Sequence, residues 1–329
     1  MKNMLLTVAE TAALIETGAI LSLAADPDLL ASLPKGNWIG GSSVYFLTDT
    51  GGAMLRDRVF CTQFSDASDA DIQVLSAQTL PNLAQGYAPN GATIVLIPAF
   101  SPAHEEFALG SQTYAGLFNQ PLMGWIAGVH LDDVGRKAAQ VFNGRTGQSH
   151  QAEAVAMYLT LPNTAQASID IVNLFQPGAS DSPSFQFETS GFGASTAKVN
   201  GQSVNLAQYI EENALEIRLP LVADYGGAMV NVAIRAVDAT AGQVSFFAPV
   251  VAGVTYRQAR PVADYAASFA QATQGAGAGE YACNCILNYV YGELEGKTTG
   301  AFTGPATFGE IAYMLLNQTL VRLDIQNAA

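Results

Sequence analysis

Gly300-Ala-Phe-Thr-Gly-Pro-Ala-Thr-Phe-Gly-Glu-Ile-Ala-Tyr313, followed after two intervening residues by Leu316-Asn-Gln-Thr-Leu-Val-Arg-Leu323, combines tight-turn residues with a placed carboxylate and a placed amide. Glu310 stands between Gly309 and Ile311 in otherwise apolar sequence, so its side chain is expected at a turn. A buried carboxylate without a partner is costly. Either it pairs with a ligand ammonium group or with Arg235, or it accepts main-chain N–H groups and braces the turn. Asn317 divides the same way: its amide reads a ligand carboxylate or ties two turns together.

Upstream of this segment, Leu215–Leu221 and Val230–Arg235 alternate apolar and polar residues, and Val244–Val251 is an apolar run broken by Pro249. These read as strands of one sheet. Asp264 to Gln271 reads as a helix, Gly275–Gly279 as a loop, and Tyr281–Tyr289 returns to apolar texture. The polar stretch Gln176–Pro183 reads as a connection, which divides the chain into lobes at 1–176 and 177–329.

The first lobe opens with a capping box. The Thr7 hydroxyl can accept from the N–H of Glu10 while Glu10 reaches back, and Gly18 supplies the stop. Asp26-Pro27 and Ser101-Pro102 start two further helices, the second running to about Phe118. Residues 37–48 and 53–64 flank Asp49-Thr-Gly-Gly52 and read as a hairpin. Short strands around 72–75, 93–97, 122–129, 138–142 and 155–161 alternate with a helical stretch at 79–85 and the helix after Ser101. The expected fold is α/β, a mixed α+β type, two-lobed, with mixed sheets and flanking helices.

Composition narrows the function. Apolar residues make up 49% of the 329 positions and charged residues 13%, enough to bury a core in each lobe. Fourteen Lys and Arg against 28 Asp and Glu leave a formal charge of −14, which opposes nucleic-acid phosphates and anionic membrane surfaces as partners. Three cysteines without a C-x-x-C pair fit a reducing cytoplasm. Glu10 and Glu16 interrupt the first apolar run where a signal peptide needs continuity, and no stretch is long enough to cross a bilayer.

Several pieces, in order, resemble the FIST family of sensory domains. They are Ile39-Gly-Gly-Ser-Ser43, Pro121-Leu-Met-Gly124, Gln140-Val-Phe-Asn-Gly144, Leu219-Pro-Leu221, Arg235, the glycine-led strand 242–248, Gly253, and above all Gly309-Glu310-Ile311 with Asn317-Gln-Thr319. The chain departs from the pattern at Gly40-Gly41, where the family commonly has Gly-Cys. It departs again at Cys283-Asn-Cys285, where a single Cys and an Arg are usual. The resemblance implies an N-terminal and a C-terminal FIST-like lobe and a role in sensing a small polar metabolite such as an amino acid. Output would then pass to a separate signalling partner.

The ligand contacts expected on this reading are Gly41, Ser42, Ser43, Arg235, Glu310 and Asn317. Gly40-Gly41-Ser42-Ser43 offers N–H groups and hydroxyls to a carboxylate or phosphate, or is simply a tight turn. Cys283 and Cys285 share a side if their segment is a strand. They are either packed interior thiols or the nucleophile of a cysteine-dependent hydrolase or transferase. Asp132-Asp133 reads as a solvated turn or a cation site. His104, His130 and His150 are isolated, no G-x-S-x-G elbow occurs, and the motifs call for no cofactor or metal. A further alternative is a non-catalytic, oligomeric interaction protein.

Overall fold

The computed structural model describes residues 1–274 and 281–327, so the Gly275–Gly279 segment lies outside the described residues. With 19% helix and 43% strand the fold is mixed α+β, and strand pairing sets its frame. The chain forms two compact units. The first comprises Met1–Val172, Ala266–Leu315 and Thr319–Ala329; the second comprises Asn173–Tyr265 and Leu316–Gln318. The Gln176–Pro183 stretch is part of the second unit, where Pro177 bridges to Ala259.

In the first unit three parallel strand pairs are each joined through a short helix. Leu21–Ala25 lies beside Trp38–Ser42, Gly91–Pro98 beside Leu122–Ala127, and Tyr281–Cys285 beside Gly304–Thr307. The intervening helices are Pro27–Ala31, Pro102–Gly110 and Ile286–Tyr291. Further strands widen each pair into a six-stranded sheet. One sheet sets Glu310–Ala312 against Leu122–Ala127, with Glu310 opposite Trp125, and continues through Gly91–Pro98 to Ala154–Thr160 and Asp69–Leu75.

Local chemistry explains where these elements begin. The Thr7 hydroxyl accepts the Glu10 N–H at 3.3 Å and the Glu10 carboxylate accepts the Thr7 N–H at 2.8 Å, which completes the capping box. Asp26 caps the Pro27–Ala31 helix through the Asp28 N–H, and Ser101 caps the Pro102–Gly110 helix through the His104 N–H. That last helix stops at Gly110, short of Phe118. Beyond it the chain makes separate 3-10 turns at Ser111–Thr113 and Leu117–Asn119, with Gly116 left-handed between them.

The hairpin is tighter than the flanking sequence suggests. Tyr45–Thr48 pairs with Gly51–Met54, while Trp38–Ser42 and Val59–Gln63 join a different sheet. Gly51 adopts φ 116°, and a Cβ there would meet the Gly296 carbonyl carbon at 2.6 Å, so only glycine closes this turn.

The second unit pairs a six-stranded antiparallel sheet with a three-stranded one. Phe185, Phe187, Leu206, Ile210, Phe246 and Tyr256 fill its core. Two expected strands are shorter than their alternation implies. Residues 215–219 form a turn, because Ala214 is left-handed and the Leu215 N–H returns to Ile210, so the strand begins at Leu221. The 230–235 run breaks at Ala233 into Met229–Val232 and Ile234–Asp238. Among the described residues no helix is long and apolar enough to cross a membrane.

Candidate functional site

Glu310 is fully buried in the first unit. One carboxyl oxygen accepts the Thr319 N–H at 3.2 Å and the Thr319 hydroxyl at 2.9 Å. The other lies 3.3 Å from the Thr307 hydroxyl, and the Cys285 thiol adds a further bond. Desolvation nevertheless raises the Glu310 pKa to about 8, because hydroxyl, amide and thiol groups surround it and no cation contributes. Thr307 has a single hydroxyl proton and faces the Glu310 carboxyl, Gly309 O and Asn284 O, all within 3.3 Å. The set closes when Glu310 carries the proton and donates to Thr307.

This network holds the 307–310 turn against the strand beside it. The Phe308 N–H donates to Ile126 O at 3.0 Å and the Ile126 N–H to Gly309 O at 2.8 Å. Through its bonds to Thr307 and Thr319, Glu310 adds to these main-chain bonds in bracing the turn that carries Phe308.

The Gly40–Ser43 segment braces neighbouring loops. Its hydroxyls are buried. Ser42 Oγ donates to Gly128 O at 2.6 Å and accepts the Gln140 N–H at 2.9 Å, so one side chain ties both ends of the 128–140 loop. Ser43 Oγ donates to Ala306 O at 2.9 Å, just ahead of Thr307. Gly41 allows close packing, since a Cβ there would stand 2.4 Å from the Trp125 ring.

A cleft of about 370 Å³ opens at the C-terminal ends of parallel strands. Its lining comes from strand ends: Ala99 and Phe100 follow Gly91–Pro98, Val129 follows Leu122–Ala127, and Phe308 follows Gly304–Thr307. Val134, Arg136, Lys137 and Gln151 complete the rim. Ligands of α/β sheets favour this location, where successive loops diverge beyond the strand ends.

Phe100 is held at the mouth in a left-handed conformation, φ 61°, and is 55% exposed. A bulky residue in that region is a conformational outlier. Its N–H donates to His104 Nδ1 at 3.1 Å, and its ring meets the Phe308 ring edge-on with centroids 6.4 Å apart. Burial lowers the His104 pKa to about 4, so Nδ1 remains an acceptor at neutral pH.

The basic wall of the cleft is organised by Asp133. Its carboxylate lies 3.1 Å from Arg56, 3.6 Å from Arg136 and 3.7 Å from Lys137. The Arg56 hydrogen bond, followed by the charges of Lys137, Arg56 and Arg136, holds it below the usual carboxylate range. Its main-chain carbonyl accepts the N–H groups of Arg136 and Lys137, each at 2.9 Å. Asp132 points elsewhere and faces His130 Nδ1 at 3.6 Å. Among the described residues no group of three or more His, Cys, Asp and Glu side chains is placed to share a metal ion.

The structure gathers Gly41, Ser42, Ser43 and Glu310 in the first unit as buried supports. Arg235 and Asn317 belong to the second unit. Arg235 is exposed on the Ile234–Asp238 strand, and of the alternatives open for Glu310 the carboxyl takes bracing contacts, to Thr319, Cys285 and Thr307, in place of an ion pair with Arg235. Asn317 is buried; its side-chain amide donates to Leu316 O at 3.1 Å, and its main-chain carbonyl accepts a bond from the Asn231 side chain at 3.0 Å. Cys283 and Cys285 are buried on one face of their strand, and desolvation pushes the Cys283 thiol well above its ordinary value. That opposes thiolate formation.

Phe100, Phe308 and the Arg136–Lys137 doublet went unread in the sequence. One signal was present: Arg136-Lys137 is the only adjacent basic pair in a strongly acidic chain. No curated protein matches the chain significantly. The model of DUF6976, described as a family of unknown function, matches residues 6–326, and the chain belongs to that family.

Proposed function

We propose that this protein is a cytoplasmic small-ligand-binding sensor of the FIST kind, with its receptor site in the cleft bounded by Phe100, the 128–139 loop and Phe308. Ligand occupancy is passed to a separate signalling partner. The observation that carries this reading is the convergence of a strained, exposed aromatic residue and a basic doublet on a cleft of metabolite size, about 370 Å³. The Glu310 and Ser42 networks support it from behind by fixing the loops, and they are not themselves contacts to the ligand.

The test is a thermal-shift screen with amino acids and small organic acids. At least one compound should raise the melting temperature. Phe100→Ala should abolish that rise while leaving the unliganded protein nearly unchanged, since the ring is largely exposed. A compound whose effect survives both Phe100→Ala and Phe308→Ala binds elsewhere and defeats the assignment.

A further inference from the structure

The cleft combines two chemistries that point to one class of ligand. Phe100, Phe308, Val129 and Val134 make an apolar wall, with the two rings edge-to-face. Arg136 and Lys137, on the turn that also carries Val134, add positive charge to the same lining. The chain has only 14 basic residues and a formal charge of −14, yet three of those basic residues, Arg56, Arg136 and Lys137, surround the single carboxylate of Asp133. Arg56 also lies 3.7 Å from Asp26, so its charge is shared away from the cleft. Among the described residues Arg136 and Lys137 form ion pairs with no carboxylate besides Asp133, Arg136 also donates to the Asp132 main-chain carbonyl, and the two side chains are 69% and 57% exposed. An anion entering the cleft meets two cations already aligned by the turn that Asp133 nucleates.

Resting on the assignment of this cleft as the receptor site, we propose that its ligand is a small organic anion, a carboxylate or phosphate ester carried on a flat apolar body. Arg136 and Lys137 take the charged group and Phe100 and Phe308 take the body. Asp133 acts as the positioning residue that holds both cations at the rim. Arginine suits a forked carboxylate or phosphate, and lysine adds a point charge. Edge-to-face aromatic walls suit a flat ring.

The proposal is tested by calorimetric titration of the full chain with 2-naphthoate, 2-naphthyl phosphate and the uncharged isostere 2-naphthamide. At least one anion should bind, and more tightly than the amide by about tenfold to a hundredfold, the usual effect of a charge-assisted hydrogen bond. Arg136→Ala with Lys137→Ala should remove that preference, and raising the salt concentration should weaken anion binding, because both cations are solvent-facing. A tenfold preference between the two anions identifies the head group; comparable affinities for both also agree with the proposal. Equal binding of amide and anions, abolished by Phe100→Ala, would overturn the anion class while leaving the cleft as the site. Binding of none of the three, or binding indifferent to Phe100→Ala, would overturn both.

Discussion

At position 310 a carboxyl group sits in full burial among hydroxyl, amide and thiol groups, and its charge state follows from that company. Raised from 4.5 to about 8, Glu310 binds a proton in the folded state across a pH range where the unfolded chain has released it. Its contribution is therefore complete below pH 4.5 and is lost as pH rises through about 8. Glu310→Gln, which resembles the neutral acid, should leave stability at pH 6 within about 1.5 kcal/mol of wild type and flatten the decline toward pH 9. Urea unfolding at both pH values measures this; a decline of equal steepness in the variant would place the titrating group elsewhere. Glu310→Ala strands the Thr319 N–H and opens a void, with an expected loss of about 3–5 kcal/mol.

The cysteines make a second residue-scale prediction. With Cys283 held well above its ordinary pKa and Cys61 pushed up to about 12, both should resist iodoacetamide at pH 7.5 until the protein is denatured. Mass spectrometry of native and denatured samples reads the difference. Rapid native labelling of Cys283 would revive a nucleophilic role for this strand.

At the scale of elements, loops at strand ends do the binding and buried side chains hold the loops. Ser42→Ala removes the bonds to Gly128 O and the Gln140 N–H, leaving two interior groups unpaired. The expected cost is about 2–4 kcal/mol, with weaker ligand binding as the 128–140 loop loosens. Denaturant unfolding and ligand titration of the same variant check both effects; unchanged stability and affinity would remove Ser42 from the supporting network. Elements with local signatures were legible in sequence: the Thr7–Glu10 box and the Asp26-Pro27 and Ser101-Pro102 starts need only neighbouring residues to form. The hairpin is shorter than its sequence implies because Trp38–Ser42 leaves for a parallel partner, Leu21–Ala25, through pairing that no local pattern announces. Similarly, Ser42 is visible as a hydroxyl beside two glycines and Glu310 as a carboxylate in apolar sequence, but whether they face a ligand or the interior is decided by residues such as Gly128 and Thr319.

For the molecule as a whole, contact density divides the chain after Val172, returns it to the first unit at Ala266, and takes Leu316–Gln318 back into the second. In the second unit Asn231 donates to Asn317 O at 3.0 Å, and Gln318 donates to Arg218 O at 3.1 Å. Native-state hydrogen exchange should resolve two groups of slow amides, with 221–224 and 229–232 opening together and 91–98 and 122–127 opening separately from them. One common opening free energy for all four strands would show a single cooperative unit.

The central claim is that the cleft beyond Pro98 and Ala127 receives the ligand and that Glu310 supports it without touching it. A crystal structure of the protein soaked with the strongest thermal-shift compound tests this most directly. Ligand density between Phe100, Phe308 and the Arg136–Lys137 turn, with the Glu310 contacts to Thr307 and Thr319 intact, is the predicted result. Density against the Glu310 carboxyl, with those threonine contacts broken, would contradict it.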